Sequence, residues 1–187
     1  MVVLRKLYTY HEFEQIIHLP ENEDRLLELI NGEIVETMPK LTHGLVAGRI
    51  QGEIYIYLKQ NPIGEVVIEV DHKLVEDNEN MLRPDVSFIS RARLQEVDPD
   101  ENVPFMPDLA VEVKSPSNYY TGQEGLREKA AYYLAHGSKL VWLVDTDKKQ
   151  VEVHVAGQPT RTITIDATLD GGDVLPGFTL SLTELFK

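Results

Sequence analysis

The run LAVEVK sets Glu112 and Lys114 two positions apart in an otherwise apolar segment, and Asp85 in RPDVSFIS lies 27 positions upstream of Glu112. Side chains alternate across a strand, so Ala110, Glu112 and Lys114 are expected on one face and Leu109, Val111 and Val113 on the other. The chain between Asp85 and Glu112 is long enough to return to an adjacent strand, which would bring two carboxylates and an ammonium together. Two carboxylates in one cleft repel unless a cation lies between them, and oxygen ligands of this kind suit Mg²⁺ or Mn²⁺. The chemistry that such a group serves is phosphodiester hydrolysis: the metal polarises a phosphoryl oxygen, stabilises the leaving oxygen and lowers the pKa of the attacking water. Asp85 and Glu112 are the expected metal ligands, and Lys114 would orient or help deprotonate the water.

Other residues compete or assist. A second Pro-Asp, Pro107-Asp108, leads straight into the Glu112 strand and is poorly placed to supply a facing ligand, so Asp85 is preferred. Lys129 lies near the apolar face of its helix, three positions after Leu126 and four before Tyr133; it could point back toward the site or snorkel to solvent. His43, at a helix start, could contact phosphate or metal, or simply be a satisfied surface histidine. The SPSN stretch after Lys114 offers hydroxyls and a turn, and Tyr119 and Tyr120 are the better candidates for stacking a base, because Trp142 sits among uniformly apolar neighbours and belongs in the core. The glycines do not form a phosphate-binding loop, which argues against a nucleotide-driven enzyme.

These residues need a scaffold. Thr9 and Glu12 fit a capping box that starts a helix running to about His18. RLLELI and EIVETM flank Asn31-Gly32, a pair suited to a two-residue hairpin because both turn positions need positive φ. From Thr42 to Lys59 apolar residues recur at helical spacing, with Gly44, Gly48 and Gly52 on one face, where another backbone, within the chain or in a second subunit, can approach. EVVIEV, DVSFI, LAVEV, LVWLVD, VEVHV and TITI read as strands; a helix between Gln123 and His136 interrupts them, and Ser181 with Glu184 signals a capped terminal turn. The expected class is α/β or α+β, a mixed sheet with helices on its faces and an early β-hairpin, in one domain spanning 1–187.

Pro84-Asp85 followed by Glu112-Val113-Lys114 resembles the PD-(D/E)XK signature. LLELINGEIVE, LTHG, RPDVSFIS, PDLAVEVKSPS, KAAYYLAHGSKLVWLVD and LPGFTLSLTELF occur in one order along nearly the whole chain, and together they resemble the Uma2 family of endonucleases. The resemblance implies a restriction-endonuclease-like core, often in a homodimer, acting on nucleic acid with DNA as the first choice. It also implies that Glu28, in LLELINGE, occupies an amino-terminal acidic position that approaches the metal.

The formal charge of −13 pulls the other way, since sequence-blind affinity for nucleic acid comes mostly from Lys and Arg neutralising phosphates. Between Arg83 and Lys129 six basic residues face nine acidic ones, so no local basic patch appears either. Two rivals follow: a catalytically silent nuclease-fold interaction domain using its acidic surface, and a nuclease acting on RNA. The absence of cysteine excludes disulfides and thiolate metal sites. No secretory or membrane-spanning run is evident, which fits a cytoplasmic location.

Overall fold

The computed structural model describes residues 6–99, 101–115 and 123–187. The SPSN residues 116–118 and the stacking candidates Tyr119 and Tyr120 lie outside them. Helix α1 (Tyr10–Ile17) starts at the expected capping box: Glu12 N donates to Thr9 Oγ1 at 3.3 Å and Thr9 N to Glu12 Oε2 at 2.9 Å. Strands β1 (Leu26–Ile30) and β2 (Glu33–Thr37) form the early hairpin, with Asn31 and Gly32 at φ of 50° and 75°, the left-handed values the turn demands. Helix α2 (Leu41–Gln60) follows, then β3 (Gly64–Ile68), β4 (Val86–Ser90), the short α3 (Arg91–Leu94), β5 (Leu109–Val113), α4 (Gln123–Ala135), β6 (Leu140–Asp145), β7 (Gln150–Val155) and β8 (Arg161–Thr164). A small antiparallel pair, β9 (Thr168–Asp170) and β10 (Thr179–Ser181), and the terminal helix α5 (Leu182–Leu185) complete the chain.

Strands β3 to β8 lie in sequence order in one six-stranded sheet. All neighbours are antiparallel except β5 and β6, which are parallel. A parallel pair cannot be joined by a tight turn, and α4 supplies the crossover. The alternation expected in LAVEV decides what each face of β5 meets. Leu109, Val111 and Val113 pack with Val46, Ile50, Ile54 and Leu58 of α2; Ala110 packs with Leu126, Ala130 and Tyr133 of α4. All five residues of β5 are buried, so Glu112, on the α4 side, is a charge in the middle of the molecule. Trp142 is fully buried and stacks on Phe178, as its neighbours foretold.

One local expectation fails and another is narrowed. The Ser181 side chain makes no capping hydrogen bond at α5, and Glu184 pairs instead with Lys187, because a one-turn helix ending near the terminus lets the lysine reach the carboxylate first. Gly44, Gly48 and Gly52 do not admit another element of this chain: among the described residues nothing lies within 4 Å of where a Cβ would stand at any of them. The glycine that does allow a close approach is Gly64, where a Cβ would fall 2.2 Å from the Ile89 carbonyl oxygen and 2.6 Å from the Phe88 ring.

Candidate active site

The register of the sheet does the first part of the positioning. Val86 pairs with Val111, so one step further along the antiparallel ladder Asp85 lies across from Glu112. Asp85 Oδ2 accepts the Val113 backbone N–H at 2.6 Å, which fixes the carboxylate at the end of β5. The early hairpin is stitched on through a bridge between Leu29 and Met81, and Glu28 Oε2 accepts the Arg83 N–H at 3.1 Å. Helix α2 contributes His43, whose Nε2 lies 3.2 Å from Asp85 Oδ2.

Helix α4 contributes the cation. Lys129 Nζ lies 2.7 Å from Glu112 Oε1 and 2.9 Å from Glu28 Oε2, and Tyr133, one turn on, donates its hydroxyl to Glu112 Oε1 at 2.6 Å. Lys129 is 3% exposed, so it does not snorkel. Burial opposes its charge, but the two glutamates outweigh burial and raise its pKa, and the group stays an ammonium. Burial also raises the Tyr133 hydroxyl well above its ordinary value, reinforced by the Glu112 charge, so it remains a donor. Glu112 is pushed up to about 7: burial dominates, and the negative charges of Glu28 and Asp85 add to it against the relief from Lys129. For His43, burial works against the imidazolium, yet the hydrogen bond and charge of Asp85 prevail and its pKa is raised.

Glu28, His43, Asp85, Glu112 and Lys129 line one pocket together with Leu26, Pro39, Glu69, Arg83 and Ser115, and Tyr133 lies behind Glu112 outside that lining. Its interior holds about 40 Å³ of space for water-sized occupants, where a single water needs roughly 10–15 Å³. Among the described residues no three His, Asp or Glu side chains are grouped to enclose a metal on their own.

Lys114 is the correction. It follows the last residue of β5, and though its N–H still bonds the Val144 carbonyl, its ammonium runs sideways to Asp145 Oδ2 at 3.2 Å and Asp147 Oδ2 at 3.1 Å. Carboxylates at the end of β6 and in the following turn capture it, while Glu112 already has a partner from the helix; the strand-face rule stopped applying where the strand stopped. Asp108 lies at the opposite end of β5 from Glu112, with Lys139 at 2.8 Å and Arg93 at 3.5 Å, and braces the structure there. Tyr133 was missed as a site residue. Its signal was present, because Lys129 and Tyr133 fall on the helix face that carries Leu126 and Ala130, a polar pair in an apolar stripe.

The family model described as "Putative restriction endonuclease", Uma2, matches residues 11–183. The chain belongs to the Uma2 family. A crystal structure from Anabaena variabilis, described as a putative nuclease belonging to DUF820, is similar to it over 95% of this chain and 97% of that one, with 25% identity and a TM-score of 0.79. No curated protein matches the chain. The Uma2 assignment agrees with the mixed sheet, the flanking helices and the early hairpin, and it makes this a nuclease-like fold.

Proposed function

We propose that the chain is a Mg²⁺- or Mn²⁺-dependent nuclease, with DNA as the first-choice substrate, in which Asp85 and Glu112 hold the metal and Lys129 rather than Lys114 supplies the ammonium. The observation that carries this reading is the burial of Lys129 between Glu28 and Glu112 at the floor of the pocket that Asp85 also lines.

The donor set suits a hard cation. Mg²⁺ keeps several waters and needs only one or two carboxylates from a protein, which Asp85 and Glu112 would supply. Burial, with Glu28 and Asp85 nearby, raises the Glu112 pKa in spite of Lys129, so a cation bound there would favour its carboxylate form. When bound, a divalent ion supplies Lewis acidity toward a phosphoryl oxygen and a lowered pKa for water.

The chain's own residues do the rest. Tyr133 and Lys129 both bond Glu112 Oε1 and so orient that carboxylate, and Glu112 lines the pocket. The Val113 N–H and His43 hold Asp85 Oδ2 in the same way. Lys129 stays protonated and therefore cannot be the base; it positions water and offsets charge that develops on phosphorus. Glu28 keeps Lys129 in place.

The test is divalent-metal-dependent cleavage of DNA and RNA by wild type, Glu112→Ala, Lys129→Ala and Lys114→Ala. Loss of about 10²–10³-fold is expected for the first two substitutions and a change of only a few-fold for Lys114→Ala, since a preorganised electrostatic contact contributes on that scale. Full activity in Lys129→Ala would defeat the assignment.

The outward face of α2 supports a homodimer as part of the same reading. Leu41 is 80% exposed, Leu45 47% and Tyr55 48%, and they share that surface with the uncontacted glycines. Leu45→Glu should shift sedimentation from dimer to monomer.

A further inference from the structure

Resting on the nuclease reading above, we propose that the pocket takes one unpaired polynucleotide strand and that duplex is a poor ligand until its strands part. The groups that would meet a scissile phosphate are recessed: the side chains of Glu28, Glu112 and Lys129 are 6%, 5% and 2% exposed. A phosphate reaches Glu112 only by entering the recess. Duplex DNA is a stiff rod that bends over a persistence length of about 50 nm, so presenting one phosphate inward means deforming the rod at a cost the surrounding contacts must return. A single strand turns freely at each phosphodiester and can lead one phosphate into the pocket.

Charge points the same way. Glu69 stands at the pocket with Glu28, Asp85 and Glu112, and among the described residues the basic groups that line it are already engaged. Arg83 makes two bonds of 2.7 Å to Asp71; Lys129 holds two glutamates and His43 holds Asp85. A duplex carries one charge per roughly 1.7 Å of axis and needs a row of Lys and Arg to offset it. The chain, at −13, offers instead the exposed Lys40, next in sequence to the wall residue Pro39, which could meet one phosphate of a strand. The walls also carry apolar Leu26 and Pro39, against which an unpaired base or its sugar can lie; in a duplex the bases are stacked and unavailable. The recognised feature is the unpaired strand, whether DNA or RNA.

The experiment measures fluorescence anisotropy for single-stranded DNA, single-stranded RNA and blunt duplex of one sequence, in Ca²⁺ to suppress turnover. Cleavage of the same set, with a duplex bearing unpaired arms, is followed in Mg²⁺ and Mn²⁺. Single strands are expected to bind about tenfold or more tightly than duplex, cuts should fall in the unpaired arms, and Lys40→Glu should weaken single-strand binding several-fold while leaving the thermal melt unchanged. The DNA and RNA arms separate the two sources of strand. Equal or tighter binding of duplex, binding of neither form, or internal cutting of blunt duplex as fast as single strand would overturn the proposal; the last would leave the nuclease reading standing. Preferential single-strand binding without cleavage would do the reverse.

Discussion

Lys129 shows how one residue changes meaning with its neighbours. A buried ammonium is costly, and two carboxylates within hydrogen-bond distance make it tolerable. Lys129→Met should therefore destabilise the fold by about 3–5 kcal/mol at alkaline pH, since Glu28 and Glu112 would lose the buried counter-charge they share. The loss should shrink toward pH 6, where Glu112 can neutralise itself; urea melts at the two pH values measure it. A second buried group works against Glu112 in wild type. His72 donates from one ring nitrogen to the Phe105 carbonyl at 2.7 Å and accepts from Ser87 at the other, at 3.2 Å, and burial lowers its pKa from 6.5 to about 4. Between those values the unfolded chain binds the proton and the native one does not, so His72 makes stability rise with pH, by about 3 kcal/mol over the window. Glu112, raised from 4.5 to about 7, binds its proton in the native state first and makes stability fall as pH rises over that range. The two slopes oppose each other. Glu112→Gln should unmask a steep gain in stability between about pH 4 and 6.5, and His72→Gln a decline between about pH 4.5 and 7, each read from pH-resolved urea midpoints.

At the scale of elements, most of the scaffold was legible because its signals are local. The capping box of α1, the Asn31-Gly32 turn and the apolar periodicity of α2 each lie within one element, and each holds. Lys114 and the α5 cap failed for a shared reason: each depended on which partner arrives from elsewhere. The packing of α2 on the sheet predicts a contrast. Ile54→Ala, in the fully buried stripe, should cost about 2–5 kcal/mol, whereas Leu45→Ala on the outward face should leave the stability of a single chain nearly unchanged. Gly64→Ala should cost about 1–3 kcal/mol by pushing β3 away from β4, because the added methyl meets a backbone oxygen and an aromatic ring. Thermal melts separate all three.

For the molecule as a whole, the charge of −13 is the property least expected of a nuclease. It predicts a shallow salt dependence of nucleic-acid binding, with a slope in log K against log salt of magnitude about 1–3 rather than the 6–10 of proteins that neutralise many phosphates. Titrations across a salt series check this; a steep slope would mean that the chain presents a basic surface that its composition conceals.

The amino-acid sequence by itself indicated the first helix, the hairpin, the long helix and the main strands, the mixed α/β class and the family, and it brought Asp85 and Glu112 forward as candidates. The elements are written in short runs, where alternation, helical period or turn chemistry acts over a few neighbours, and the family in several such runs kept in one order along the chain. The tertiary structure alone decided which lysine meets Glu112. Lys114 is two positions from it in sequence and Lys129 seventeen, yet the helix that crosses from β5 to β6 lays Lys129 over the strand and leaves Lys114 to Asp145 and Asp147. A buried carboxylate takes the cation that packing delivers to its own face, and that delivery depends on contacts among distant elements that no local spacing encodes.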